Sequence, residues 1–353
     1  MNRVNTNKKE ERNLEVLSNI VSLYISSAIP VSSKLVARNM ANRVSSATVR
    51  NIMAELEDKG FIEQPHTSAG RVPTDTGYRY YVDMVNQKIQ AERQRAKRLA
   101  GEYAQKIRSI EELLEKTSCL ISRELHNAGF VMLPNVENLY LKRLELVRIR
   151  AKTVLAVLIT MTNAVRNYIT RLEKDLKQYE LERIVNFLNT NYEDSMISDI
   201  AVDLKRIVKE KKEEDKDVMH LAEYALDIIK GIAGSTLENE IYLEGLDQFM
   251  QEPEFQDISI TRHILSIFSD RSHLLHLLQK ELPFQGIKIY IGRENPSDML
   301  RGCSIITSGY SMHGRTIGRF GVMGPTRMDY CNAIRTVRSL SDIISGKLEE
   351  MNA

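Results

Sequence analysis

Apolar residues near the start of the chain recur at helical spacing in three separate segments. The first segment, residues 14–24, places its apolar side chains on one face and ends before Pro30, which cannot continue a helix. A second, shorter segment begins with two serines. The third begins at Ser45 and Ser46, whose side-chain oxygens can accept from the free N–H groups of a first turn. The pattern therefore predicts three helices, preceded by a polar, frayed stretch at residues 1–13.

A two-stranded hairpin is predicted directly after the third helix. That helix buries one apolar stripe, consisting of Val49, Ile52, Met53 and Leu56. Gly60 stands where a left-handed residue commonly ends a helix. Residues 61–64 predict a short strand, residues 65–70 are rich in turn formers, and residues 71–72 can return as the partner strand. Three short helices followed by a hairpin predict a winged helix-turn-helix.

The downstream chain contains two β-rich regions separated by a helical and charged stretch. After a charged helical connector, residues 144–161 predict a hairpin, and an amphipathic helix follows. Residues 191–217 are highly charged, and the next 60 or so are mainly helical. Residues 287–345 then predict a strand, a second hairpin and a last helix. This order indicates one α/β domain that carries an insertion.

Charge is distributed unevenly along the 353 residues. Residues 1–100 contain 16 Lys and Arg against 10 Asp and Glu, which gives +6, whereas the net charge of the whole chain is only +2. A basic first part on a near-neutral body predicts different partners for the two parts. The longest largely apolar run, residues 154–161, is too short for a membrane span of about 20 residues. Three widely spaced cysteines and a polar N-terminus without a secretory signal predict a cytoplasmic protein.

The third helix and the hairpin supply the candidate DNA-binding residues. The N-terminal end of such a helix favours phosphates and enters the major groove. Arg can bind guanine through two hydrogen bonds, Asn can bind adenine likewise, and a methyl group can contact thymine. Small, polar and basic groups at the hairpin can follow the DNA backbone or enter a minor groove. The candidates are Ser45, Ser46, Ala47, Thr48, Arg50, Asn51, His66, Thr67, Ser68, Gly70 and Arg71. Winged helices also serve as protein–protein modules, and this alternative stays open.

An enzyme is the main competing class. Cys303 with His313 could form a nucleophile pair, but both lie on arms of one predicted hairpin. His273 and His276 could bind a metal, but no matching carboxylate or cysteine ligands accompany them. Three glycines at 318–324 lack the Lys-Ser/Thr of a phosphate loop. We therefore expect no catalytic residues, no metal and no cofactor.

Several motifs resemble the heat-inducible transcription repressor family HrcA. They are the run SSATVRNIM at 45–53, HTSAGRVPTDTGYRYYVD at 66–83, YLEG at 242–245, IGREN at 291–295 and GVMGPTRMDY at 321–330. The motifs occur in the expected order over nearly the whole chain.

The resemblance implies a dimeric, sequence-specific repressor of heat-shock chaperone operons. Such repressors bind the CIRCE inverted repeat upstream of the chaperonin and DnaK operons, and a GroEL-type chaperonin maintains their activity. The implied fold is α+β and multidomain, with a winged helix-turn-helix, a GAF-like domain and a mainly helical dimerisation domain inserted in it. The expected boundaries are 1–87 for the DNA-binding domain, 88–127 for a helical connector, 128–198 and 261–353 for the two GAF-like parts, and 199–260 for the insertion.

A small-molecule sensor is a third class. GAF-like domains often hold ligands, and the apolar residues of 154–161 and 303–323 would then line a pocket. The same residues would also fill an ordinary core, which is the favoured interpretation.

Overall fold

A computed structural model describes residues 2–40, 44–66, 69–88, 93–103, 107, 109–210, 216–234, 241–253 and 258–352. The N-terminal part of the chain consists of short helices and one hairpin. Its elements are α1 (Asn2–Ser27), α2 (Ser33–Asn39), α3 (Ser46–Asp58), β1 (Ile62–Glu63), β2 (Val72–Pro73) and α4 (Asp75–Lys88).

The helix ends of this part follow from local capping. The Ser32 hydroxyl accepts from the Leu35 N–H at 3.3 Å, and the Ser45 hydroxyl accepts from the Thr48 N–H at 3.1 Å. Gly60 has φ +74° after the last turn of α3, as predicted. The predicted apolar stripe of α3 is buried, which is also confirmed. By contrast, the expected frayed stretch at 1–13 is wrong, since α1 begins at Asn2.

The hairpin is fixed to the segment that joins α1 and α2. β1 and β2 pair antiparallel. Next to β2, the main chain of Arg71 exchanges two hydrogen bonds of 2.9 Å with Val31. A Cβ on Gly70 would lie 2.5 Å from the Val31 carbonyl oxygen. Glycine is therefore required here because two backbones approach closely.

The predicted connector at 88–127 is two helices rather than one. These are α5 (Arg93–Glu102) and α6 (Ile110–Leu125). Arg98 and Arg123 form ion pairs with Glu124 and Glu102, respectively, across the two helices. One face of α6 is apolar and buried in the largest hydrophobic core. The chain therefore folds back to bury that face, and α6 is part of the body rather than a solvated linker.

A five-stranded antiparallel sheet forms the centre of the body. Its strands are β3 (Ala128–Met132), β7 (Ile241–Glu244), β8 (Lys288–Ile291), β9 (Cys303–Met312) and β10 (Arg315–Pro325), in the order β7-β3-β10-β9-β8. The helices around it are α6 and α13 (Tyr330–Asn352), and also α10 (Leu246–Phe249), α11 (Ile258–Ser269) and α12 (Ser272–Lys280). Alternate residues of β3 belong to two cores, one shared with α6 and α13 and one shared with α10, α11 and α12. Helices therefore pack against both faces.

A second, three-stranded sheet forms a separate module. Its strands are β4 (Leu141–Arg150), β5 (Thr153–Thr160) and β6 (Val165–Arg171), and its helices are α7 (Gln178–Tyr192), α8 (Ile197–Glu210) and α9 (Lys216–Ala233). One face of this sheet packs with the helices into a core of its own. We call this unit, residues 136–233, the inserted module.

The structure changes the predicted edges of the insertion. The central sheet is interrupted between Met132 and Ile241, where β3 and β7 pair directly. The insertion is therefore not confined to 199–260. The hairpin at 144–161 belongs to it rather than to a first domain part at 128–198, and residues 241–253 return to the body. The hairpin is not part of the central sheet. Every second residue of β5 is buried, and these residues pack with α7–α9 in a separate core.

The closely spaced glycines of β10 are packing positions. A Cβ on Gly321 would lie 2.0 Å from the Ile306 carbonyl oxygen of the neighbouring strand. On Gly318 it would lie 2.1 Å from the Tyr310 hydroxyl. Close contact within the sheet, and not phosphate binding, explains these residues.

Candidate nucleic-acid interface

The exposed face of α3 lies opposite its buried stripe. Ala47, Arg50 and Asn51 are exposed, at positions i, i+3 and i+4, so they share one side of the helix. Ser46 and Thr48 are partly exposed beside them. No acidic side chain within the described ranges forms an ion pair with Arg50. This face therefore presents the guanidinium of Arg50, the amide of Asn51 and the methyl group of Ala47 next to one another.

Two of the candidate hydroxyl groups are already used by the helix start. The hydroxyl groups of Ser45 and Thr48 lie 2.9 Å apart, and Ser45 also accepts from the Thr48 N–H. This cap fixes the direction in which α3 begins. The hydroxyl groups thus position the N-terminal end of α3, where Ser45 is exposed and Thr48 is partly exposed.

The hairpin tip brings a turn and a histidine to the surface. The Ala69 N–H donates to the His66 carbonyl at 2.8 Å, and the Gln64 amide donates to the Ala69 carbonyl at 3.0 Å. His66 is exposed. Thr67 and Ser68 lie outside the described residues.

Arg71 is held by α3 rather than extended from the hairpin. Its Nε donates to Glu57 Oε2 at 2.9 Å, and its Nη2 lies 2.8 Å from the same oxygen. This ion pair joins the base of the hairpin to the last turns of α3. The sequence alone does not identify Glu57 as the partner of Arg71, because a separation of 14 residues between two oppositely charged side chains carries no periodic signal.

The competing sites have unfavourable geometry for chemistry. Cys303 is the first residue of the strand β9, whereas His313 follows the last residue of that strand, and burial raises the pKa of the Cys303 thiol to about 12. His273 and His276 are both exposed. In the part of the chain that the structure describes, no group of three or more His, Cys, Asp and Glu side chains could hold a metal ion.

Within the same ranges, no helix has both the length and the apolar character that crossing a membrane requires.

Comparisons with known proteins agree over almost the whole chain. The family model described as HrcA protein C terminal domain matches residues 111–334. The heat-inducible transcription repressor HrcA of Syntrophobacter fumaroxidans is 34% identical over 342 residues, covering 96% of this chain and 97% of the relative. HrcA of Brevibacillus brevis is 33% identical over 340 residues, with coverage of 96% and 97%. The chain therefore belongs to the HrcA family, whose named members are heat-inducible transcription repressors.

A solved structure has the same overall fold. The crystal structure of a hypothetical protein at 2.2 Å resolution has a TM-score of 0.63 and 23% sequence identity. The likeness covers 96% of this chain and 98% of that chain. The arrangement of modules is thus similar to one observed in a crystal.

Proposed function

We propose that this protein is a dimeric repressor that binds an inverted DNA repeat through α1–α3 and the β1–β2 hairpin, which together form a winged helix-turn-helix. The observation that carries the proposal is the exposed face of α3, where Arg50 and Asn51 point away from the buried stripe. In a helix-turn-helix such a face enters the major groove and contacts base edges. Arg50 would bind guanine, Asn51 adenine, and Ala47 or Thr48 a thymine methyl group.

The other candidate residues take supporting parts in this proposal. Ser45 and Ser46 present the start of α3 to a phosphate, and His66, Thr67 and Ser68 bring the hairpin tip to the DNA backbone or minor groove. Gly70 and Arg71 act mainly by holding the hairpin, because Gly70 fits against Val31 and Arg71 pairs with Glu57.

The open face of the three-stranded sheet is the proposed dimer interface. Its apolar side chains are Val147, Leu155, Val157, Ile159, Val165 and Ile169, of which Ile169 is 68% exposed and Val165 is 62% exposed. Leu155 lies opposite Val147 on one side and Ile169 on the other. An antiparallel sheet with one face in water normally carries polar residues there. A second copy of this face would cover the apolar surface and give the two-fold symmetry that an inverted repeat requires.

The family resemblance also supports proposals for the domain type of the body, for the operator and for the regulation. We propose that the central sheet with its helices is the GAF-like domain and that the operator is the CIRCE repeat of chaperone operons. A GroEL-type chaperonin would maintain the repressor by refolding it. The residues of 154–161 and 303–323 pack into two different sheets and their cores, which favours a structural role over a shared ligand pocket.

A binding experiment tests the proposal. Electrophoretic shifts would compare a CIRCE duplex with a duplex of equal length in which one half-site is scrambled. We expect a preference for the intact repeat that persists as salt is raised, since base contacts depend on salt less than phosphate contacts do. Equal affinity for both duplexes would contradict sequence-specific repression. A thermal-shift screen with nucleotides and metabolites would then test the sensor alternative.

A further inference from the structure

We call α1–α4 with the β1–β2 hairpin the DNA-binding module, and the five-stranded sheet with its helices the body. The first two turns of α4 form several polar contacts between them. The Asp75 carboxylate accepts from the Arg293 N–H at 3.0 Å. One turn later, Arg79 uses two nitrogens to bind both carboxylate oxygens of Glu294, with Nε to Oε1 at 2.7 Å. Arg79 also donates to the Ile289 carbonyl at 2.8 Å. These bonds connect α4 to the end of β8 and the turn that follows it.

Glu294 is itself held in place by the body. Its Oε2 accepts from the Ile291 N–H at 2.9 Å, so the carboxylate is oriented on the body side before Arg79 reaches it. The pair is partly buried on both sides. The hydrogen bond to Glu294 is the main reason that the pKa of Arg79 is raised.

A second polar contact joins α1 to the body. Arg327, two residues beyond β10, donates to the Ile25 carbonyl at 2.8 Å and to Glu252 at 2.7 Å. Ile25 lies in the last turn of α1, where carbonyl groups lack helical partners and carry partial negative charge. Arg327 therefore caps α1 from the body, at a point separate from the Arg79–Glu294 pair.

One strand extends from this contact towards the inserted module. At the start of β10, Arg315 pairs with Asp199 of α8 at 2.9 Å. Arg327 lies two residues after the last residue of β10. β10 has 11 residues and spans about 35 Å; it pairs with β9 along its length and also with β3 over residues 320–323. The inserted module and the DNA-binding module thus contact the body near opposite ends of one strand.

Apolar contact alone does not fix an orientation. Tyr78 of α4 packs against Tyr330 with ring centroids 5.7 Å apart, but such burial is non-directional. A guanidinium that binds a carboxylate through two parallel hydrogen bonds has a defined geometry. The apolar contacts hold the DNA-binding module against the body, and the polar contacts fix the angle between the two.

We infer that Arg79, Glu294 and Arg327 are positioning residues that set which spacing between half-sites the dimer accepts. The inference rests on the proposed function, because it requires a dimer that binds two half-sites. In the dimer, the two α3 helices must enter the major groove at a fixed separation and on a fixed side of the duplex. One extra base pair rotates a half-site by about 35°. A DNA-binding module held at one angle would reject such an operator, and a loosened one would accept it.

The test measures affinity for a series of operators whose spacer differs by one base pair at a time, together with a single half-site. The variants are Arg79→Gln, Glu294→Gln and the double substitution. Arg301→Gln is the matched control, because Arg301 pairs with Asp298 on the body. We expect the ratio between the best and the neighbouring spacers to fall ~3- to 5-fold in the two single variants, the range of a partly exposed ion pair. The ratio in the double variant should fall no further than in Arg79→Gln, since Arg79→Gln already breaks the pair with Glu294 together with the bonds from Arg79 to Ile289 and Asp83.

Three measurements separate positioning from folding. Half-site affinity and dimer mass should match the unsubstituted protein, the melting temperature should fall by no more than about 4 °C because only one partly exposed ion pair is lost, and Arg301→Gln should keep the original spacer profile. An unchanged profile in Arg79→Gln would overturn the inference, and so would an equal loss at every spacer and at the half-site. Failure of the unsubstituted protein to bind any inverted repeat would instead contradict the proposed function itself.

Discussion

Arg50 is the residue at which sequence discrimination should be most visible. Its guanidinium is exposed on the face of α3 opposite the buried stripe. We expect Arg50→Ala to weaken operator binding by about 1–3 kcal/mol, since a two-bond contact to guanine is worth that much. The substitution should weaken binding to random DNA far less. Fluorescence anisotropy with both duplexes at one salt concentration measures the difference.

Arg38→Ala provides the control for Arg50→Ala. Arg38 is an exposed arginine on α2, which in the proposed helix-turn-helix would be the helix that crosses the DNA backbone. Removing its side chain should weaken binding to operator DNA and to random DNA to a similar degree. If Arg50→Ala behaves in the same way as Arg38→Ala, Arg50 is a phosphate contact and α3 does not discriminate through it.

Arg71 should contribute more to the hairpin than to the DNA. Its guanidinium is bound to Glu57, and both side chains are partly buried. We expect Arg71→Ala to lower the free energy of unfolding by about 0.5–1 kcal/mol and to leave the salt dependence of DNA binding unchanged. Denaturant titration and affinities at several salt concentrations check both statements. A salt slope smaller by about one would show that Arg71 neutralises a phosphate.

The candidate interface was predictable where the signal is short in range. The Ser45 cap, the stripe from Val49 to Leu56 and the left-handed Gly60 all depend on residues within one or two turns. The fate of Arg71 was not predictable, because its partner depends on how the hairpin folds against α3. At the residue scale, periodicity gives the exposed face, and tertiary packing decides which exposed charges are available.

At the scale of elements, the open face of the β4-β5-β6 sheet should hold the dimer together. We expect Ile169→Lys to produce monomers, because it places a charge at one end of the apolar row formed by Val147, Leu155 and Ile169. Ile169 is already 68% exposed in the monomer, so the substitution should leave the fold intact. Sedimentation velocity measures the mass, and circular dichroism checks the fold.

Val202→Lys is the matched control for the sheet face. Val202 is 65% exposed, but it lies on α8 rather than on the sheet. The Val202→Lys variant should remain dimeric. Monomers from Val202→Lys and dimers from Ile169→Lys would move the interface to the helical side of the inserted module, and dimers from both would place it elsewhere.

The elements themselves were largely predicted, but their assembly was not. The two hairpins at 144–161 and 303–323 have similar patterns of β-branched and apolar residues, yet they join different sheets. Strand pairing over long separations, such as Met132 with Ile241, leaves no local periodicity. For this reason the order of elements predicted an insertion, but the predicted boundaries of the insertion differ from those in the structure.

At the scale of the molecule, the central sheet is assembled from distant parts of the chain. β3 pairs with β7 more than 100 residues later and with β10 later still. The inserted module, with its own core, lies between β3 and β7 in the chain. Pairings of high sequence separation fold slowly and leave strand edges exposed in the meantime. Heating should therefore remove active dimer through misfolded intermediates rather than through a small ligand.

Refolding with a chaperonin tests this regulation directly. The protein would be heated, cooled and assayed for binding to the inverted repeat, with GroEL-type chaperonin and ATP, with chaperonin alone, or with an inert protein at the same mass concentration. We expect the highest recovery with chaperonin and ATP, because cycles of release give the separated strands repeated chances to pair. Refolding of the inserted module can be followed in the same samples through the dimer mass. Equal recovery in all three arms would contradict the mechanism. Recovery caused by a metabolite without chaperonin would also contradict it and would favour a ligand sensor.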